Sequence, residues 1–212
     1  VDQAAKEAGV AVLGTGVNPG FLMDSLPAFL TAVSRSVDKV EVLRYQDAQH
    51  RRIPFQKKIG AGLTLEEFAA RKAAGTLRHV GLTESMQFIA AQLGWKLDST
   101  QDVLSPVIAS ETVSTPGMTI PAGYATGVRQ VGSGFINGAE KIRLVFQAAV
   151  GEPESYDEVR ISGTPDVTSR IQGGVNGDIA TCAITLNAIP SVLGAAPGLR
   201  TMADVPLVSC RP

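Results

Sequence analysis

The chain has 212 residues, 44% of them hydrophobic and 18% charged, with a net charge of −1. This is a globular composition, and its charge balance gives no footing for nucleic acid or an acidic membrane surface. Two cysteines far apart, Cys182 and Cys210, cannot furnish a zinc ligand set, so no metal centre is expected.

A reducing, cytoplasmic setting follows from that cysteine usage, with Cys182 read as a buried small hydrophobe in "IATCAITLNAI". No stretch approaches the ~20 apolar residues of a membrane span. The opening "VDQAAKEAGVAVL" lacks both a signal-peptide pattern and an initiator Met, so the chain reads as a fragment whose true N-terminus lies upstream.

In chain order, residues 2–9 read as the end of a helix stopped by Gly9, and residues 10–13 as a short buried strand. Residues 21–33 form an apolar helix with Pro27 inside it, and "DKVEVLRYQD", 38–47, alternates like a half-buried strand. The segment 50–62 is basic and irregular. Thr64 and Glu67 make a capping box for a helix through about residue 74, ended by Gly75. "TESMQFIAAQLG", 83–94, is a second capped helix. Four antiparallel strands follow, separated by turns at Ser133-Gly134, Asn137-Gly138 and 151–153. Residues 177–195 make a long apolar helix. Segregated helices and strands predict an α+β fold, a mainly antiparallel or mixed sheet with helices over one face.

The loop "GTGVNPG", 14–20, raises a sharper question. A strand precedes it, a helix follows, and Asp47 ends the next strand, as in a dinucleotide fingerprint. Against that, the glycines are spaced one residue too long, Pro19 removes an amide beside the phosphate position, and no alternating strands and helices follow.

The blocks "GTGVNPGFLMDSLP", "KKIGAGLTLEEF", "HVGLTES", "IPAGYATGVRQV", "GDIATCAITLNAIP" and "APGLRTMADVP", in this order, resemble the C-terminal part of 2,4-diaminopentanoate dehydrogenase and its relatives, in the dihydrodipicolinate reductase-like group. The resemblance covers nearly the whole chain. It implies that residues 1–13 are the last helix and strand of an N-terminal Rossmann domain, and that residues 14–212 form a substrate-binding and oligomerisation domain. It implies NAD or NADP as cofactor, a small amine or amino-acid substrate oxidised through an imine, and a homodimer or homotetramer built through the sheet. The loop 14–20 is then the crossover between domains, with Asn18 facing the nicotinamide and Gly16 and Gly20 allowing close backbone approach.

His79 and Glu84, in "RHVGLTES", are the catalytic candidates: an imidazole that titrates near neutrality and a carboxylate favoured in a helix's first turn. Capping and an exposed loop explain the same pair structurally. Asp178, Lys57 (or Lys58) and His50 are the substrate-binding candidates. His50 stands where dihydrodipicolinate reductases carry a histidine pair, and their Ser-Gly-Thr carboxylate grip is replaced here by Gly60-Ala-Gly62. That departure weighs against a dicarboxylic ring substrate. Asp178 doubles as an N-cap candidate, and Arg51 and Arg52 read as surface charges. The alternatives are reduction of a cyclic imine, as in dihydrodipicolinate reductases, and a non-catalytic binding or assembly module.

Overall fold

The computed structural model describes residues 1–77, 80–115 and 117–210. Its centre is a six-stranded mixed sheet built from β2 (Ser36–Asp47), β3 (Ser99–Ile108), β6 (Ala125–Ile136), β7 (Ala139–Ala149), β8 (Tyr156–Thr164) and β9 (Val167–Gln172). The strand order is β3-β6-β7-β2-β8-β9; β2 and β7 run parallel, and the other neighbours are antiparallel. The run of antiparallel strands expected after residue 100 is present, but Ser133-Gly134 is no turn: it lies inside β6, beside a register shift at Gly134/Phe135. What sequence order hides is β2, inserted at its middle between β7 and β8.

Because side chains alternate across a strand, β2 sends Val40 and Val42 to the face where Ile142 and Leu144 of β7 and Val159 and Ile161 of β8 also lie. Helix α5 (Leu82–Gln92) covers that face, burying Leu82, Met86 and Ile89 against the same cluster. A second cluster continues it toward α4 (Leu65–Ala73), around Phe68, Leu104, Val128 and Phe146. The opposite face carries a lattice of ion pairs: Arg143 and Arg160 on Glu41, Lys39 on Glu140, and Arg170 on Glu154.

Three smaller pieces complete the chain. Helix α1 (Asp2–Glu7) leads into β1 (Ala11–Leu13), which pairs in parallel with β10 (Gly198–Arg200). Helix α2 (Ser25–Leu30) passes into a 3₁₀ turn at Thr31–Val33. Strands β4 (Val113–Thr115) and β5 (Met118–Ile120) form a separate ribbon.

Several local expectations hold and several shift. Both hydrogen bonds of the Thr64–Glu67 capping box are formed. Thr64→Ala is expected to lower stability by about 1 kcal/mol, measured by urea denaturation. The start of α5 moves: Gly81, at φ +119°, is its N-cap, and Thr83 lies inside the helix. The basic segment after His50 is not wholly irregular, since α3 (Ile53–Lys58) forms with Pro54 in its first turn. Gln56 secures α3 by donating to the carbonyls of Ala48, Gln49 and Arg51. The long C-terminal helix divides into α6 (Gly177–Asn187) and α7 (Ile189–Leu193), with Pro190 in the first turn of α7. Cys182 is exposed, against the expectation of burial, because α6 lies on the surface with no fully buried residue.

Candidate functional site

The apolar face of β2 ends in two polar residues. Arg44 and Gln46 continue the alternation of Val40 and Val42, so the same geometry that buries the valines places a guanidinium and an amide under the helices. Arg44 is 2% exposed. Its Nη1 donates to Asp157 Oδ1 at 2.6 Å and its Nη2 to the Val175 carbonyl at 2.9 Å. Asp157 Oδ2 accepts the Val175 N–H at 2.7 Å, which closes the ring. Burial pushes the Asp157 carboxyl up and the Arg44 guanidinium down, while their contact pulls both back toward the charged forms.

The network then climbs toward solvent. Gln46 Nε2 donates to the Val175 carbonyl at 2.9 Å, and its Oε1 accepts from Arg51 Nη1 at 3.1 Å. Arg51 stacks 4.2 Å over the Phe55 ring and donates through Nε to Asp178 Oδ2 at 3.1 Å. Arg52, largely exposed, takes the other Asp178 oxygen at 2.9 Å. Burial opposes ionisation of Asp178, but the two arginines outweigh it and hold the carboxyl below its ordinary value.

Arg44, Gln46, Arg51, Arg52 and Asp178 line a cavity of about 360 Å³. Lys58 stands on its wall and makes no ion pair among the described residues. Val17, Phe55 and Phe146 supply apolar surface. Asn18 enters from the loop 14–20: its Nδ2 donates to Met23 Sδ at 3.1 Å, and its Oδ1 is buried with no partner among the described residues. A buried, unpaired acceptor is costly unless something donates to it. The cavity therefore combines cations for an anionic group with a short apolar wall, and Asn18 at its edge carries a buried acceptor.

The loop 14–20 is a partition. Val17 and Asn18 face the basic cavity, whereas Gly14, Thr15, Pro19 and Gly20 face a second cavity of about 650 Å³ on the other side. That cavity opens at the carboxyl ends of the parallel strands β1 and β10 and is also lined by Asp24, Glu84 and Asp204.

The expected site residues are therefore divided. Asn18 and Asp178 meet in the basic cavity. Asp178 is already held through both oxygens, and the N-cap of α6 is Asn176, whose side chain accepts from the amides of Asp178 and Ile179. Lys57 is exposed and lines neither cavity, since one step along α3 turns its side chain about 100° from that of Lys58. His50 is exposed and contacts the Gln49 side chain outside both cavities. Glu84 lines the second cavity, and Gly20 stands beside it. Gly16 is packed inside the loop, against Gly20. His79 lies outside the described residues. Arg51 and Arg52, surface charges on the sequence reading, are the residues that hold Asp178. Arg44, Gln46 and Asp24 carry no motif that marks them as site residues.

Comparison with known proteins agrees with this architecture. Residues 21–211 match the model of the 2,4-diaminopentanoate dehydrogenase C-terminal domain. The chain belongs to this family. It is 35% identical over 215 residues to 2,4-diaminopentanoate dehydrogenase of Acetoanaerobium sticklandii, covering 98% of itself and 60% of that enzyme. The solved amine dehydrogenase from Mycobacterium smegmatis superposes with a TM-score of 0.84 at 21% identity, over 99% of this chain and 63% of that one. This structural match establishes the fold alone. The chain thus spans about 60% of the length of the curated relative it matches. Among the described residues no helix is long and apolar enough to cross a membrane, and no group of three or more His, Cys, Asp or Glu side chains is placed to hold a metal.

Proposed function

We propose that this chain is the substrate-binding and assembly part of an NAD(P)-dependent oxidoreductase that acts on an amine-bearing carbon of a small amino acid. The observation that carries the reading is the basic cavity itself: Lys58 and exposed Arg52 at its wall, an apolar floor, and the unpaired Asn18 Oδ1. A carboxylate suits the two cations, by charge and hydrogen bonding. Arg51 and Arg52 neutralise Asp178, so the cavity recognises a substrate with a carboxylate in preference to a bare amine.

A nicotinamide fits the same loop. Its carboxamide N–H₂ is a donor of the kind that Asn18 Oδ1 lacks. The chemistry such a cofactor supplies when bound is hydride transfer at the amine-bearing carbon. The protein's own part is to bind the carboxylate, orient the carbon and limit water to what hydrolysis of the imine needs. Glu84 and His79 remain candidates for proton handling in this reading.

The same reading takes residues 1–13, with α1 and β1, as the end of the cofactor domain, and β10 pairs with it from the substrate domain. Two parallel strands with Val12 and Leu199 exposed are consistent with a larger covered sheet. We also read the open sheet face as the surface for a homodimer or homotetramer; its alternating Glu41, Arg143, Glu140 and Arg160 can meet the same pattern on a second copy. A cytoplasmic setting is consistent with two free, exposed cysteines.

The test uses the full-length protein, cofactor reduction, and two substrates: 2,4-diaminopentanoate and a carboxylate-free amine of similar size. Replacing both Arg52 and Lys58 with alanine is expected to raise KM for the amino acid by about tenfold or more and to leave the bare amine unchanged. Absence of amine-dependent cofactor reduction would overturn the reading.

A further inference from the structure

We propose that Asp24 is a positioning residue whose buried carboxylate holds the loop 14–20 so that Asn18 faces the basic cavity. Asp24 is 4% exposed, and three donors converge on it: Gly20 N–H at 2.7 Å, Ser25 N–H at 2.6 Å and the Ser85 hydroxyl at 3.0 Å. Two of these donors come from the loop's end and the start of α2; the third comes from α5, where Ser85 is fully buried. The bond from Gly20 is answered in reverse, since Ser25 Oγ donates to the Gly20 carbonyl at 2.7 Å. Asp24 therefore ties the loop to both helices at one point. Burial pushes its carboxyl up, and the three donors pull the other way.

The effect reaches Asn18 through a short path. Asn18 is two residues from Gly20, and its amide rests on Met23, the neighbour of Asp24. The Val17 carbonyl accepts the Leu22 N–H at 3.0 Å, so the chain from Val17 to Asp24 is one closed turn. Pro19 packs on the opening of α5, where a Cβ added to Gly81 would lie 2.7 Å from its ring. With the Asp24 bonds removed, the turn keeps its packing but loses the charged acceptor that fixes Gly20. Asp24 borders the second cavity while Asn18 lines the basic one, so Asp24 reaches the basic cavity through the loop.

Two measurements test this, the second resting on the proposed amine-oxidising reading. The first is amide hydrogen exchange on this chain. Asp24→Asn is expected to speed exchange at Gly20 and Leu22 by about tenfold or more, while Val42 and Leu144 in the sheet keep their rates. Ser85→Ala removes a single donor and gives a smaller change at the same amides; it carries the test if Asp24→Asn does not fold. Unchanged loop exchange, or equal acceleration in loop and sheet, would overturn the proposal. The second is kinetics of the full-length enzyme: Asp24→Asn raises KM for the amine by about tenfold and changes kcat little. In an Asn18→Ala background the same substitution then adds almost nothing, because its effect passes through Asn18. Additive losses would overturn it. Lack of any amine-dependent turnover sinks the functional reading instead, and the exchange experiment decides the brace by itself.

Discussion

Arg44→Ala is expected to cost about 3–5 kcal/mol, because it leaves the Asp157 carboxylate buried without its cation. Against a total stability of about 5–15 kcal/mol for a typical domain, that is enough to bring the chain close to unfolding. Urea denaturation measures it. The mechanism makes a second, distinguishing demand. Without Arg44, the Asp157 carboxyl moves further up in the folded state and binds a proton that the unfolded chain has released. Folding then gains protons, so the stability of the variant falls as pH rises from the ordinary aspartate range through the raised value. The loss relative to the parent is therefore larger at neutral pH than at about pH 4, near the ordinary aspartate value. Replacing both partners, as in Arg44→Met with Asp157→Leu, recovers much of the loss, since no buried charge remains. A cost below about 1 kcal/mol for Arg44→Ala at neutral pH would mean that Asp157 finds another partner, and the ring through Val175 would lose its assigned role.

Gly20→Ala carries the second largest effect, and it acts on the partition loop. Gly20 sits at φ +126°, where an L side chain is strained, and an added Cβ would stand 2.4 Å from the Gly16 amide nitrogen and 2.5 Å from its carbonyl oxygen. Backbone meets backbone there, so no side-chain rotation relieves the clash. The loop has to open, which moves Asn18 away from the basic cavity. We expect a loss of about 2–4 kcal/mol and loss of amino-acid binding in the full-length protein. Gly75→Ala is the control: φ is +70°, with nothing within 4 Å of the new Cβ, and about 1 kcal/mol is expected. Equal costs at the two sites, measured by the same denaturation, would remove the Gly16–Gly20 contact as the cause.

Much of the basic cavity is legible in the alternation of one strand. In "DKVEVLRYQD" the pattern that predicts a half-buried strand also fixes the face of every residue on it. Val40 and Val42 point inward, and therefore so do Arg44 and Gln46. A cation at an inward position on a strand implies a buried partner or a ligand, and that signal lies in the sequence itself. Asp157 is harder to see, because its pairing with Arg44 depends on β8 lying beside β2. Asn18 is legible from its loop, and its orphaned oxygen gives a reason for the choice beyond the motif. Lys57 falls outside the cavity because the basic run is not one loop: a helical turn there sends Lys57 and Lys58 in different directions, while His50 sits in the turn before that helix. The apolar sequence of α6 suggests a core helix, but periodicity cannot tell a buried face from one that another domain or subunit covers. Ile179 and Leu186 are exposed on it, as is Leu193 on α7.

The insertion of β2 also governs how the fold can be reached. β2 ends at Asp47, and the strands that flank it begin only at Ala139 and Tyr156. Strands β6 and β7 are joined by a tight turn and can pair as soon as they are made. β2 has to wait for both, and then join across a long intervening chain, an ordering that slows folding through loop-closure entropy. During that wait both of its hydrogen-bonding edges are open on a stretch rich in valine and leucine, the kind of edge that recruits other chains. Lys39, Glu41 and Arg44 place charges along it. Any fragment that stops short of β8 leaves one edge of β2 unpaired, so the smallest piece able to complete all six strands extends through Gln172.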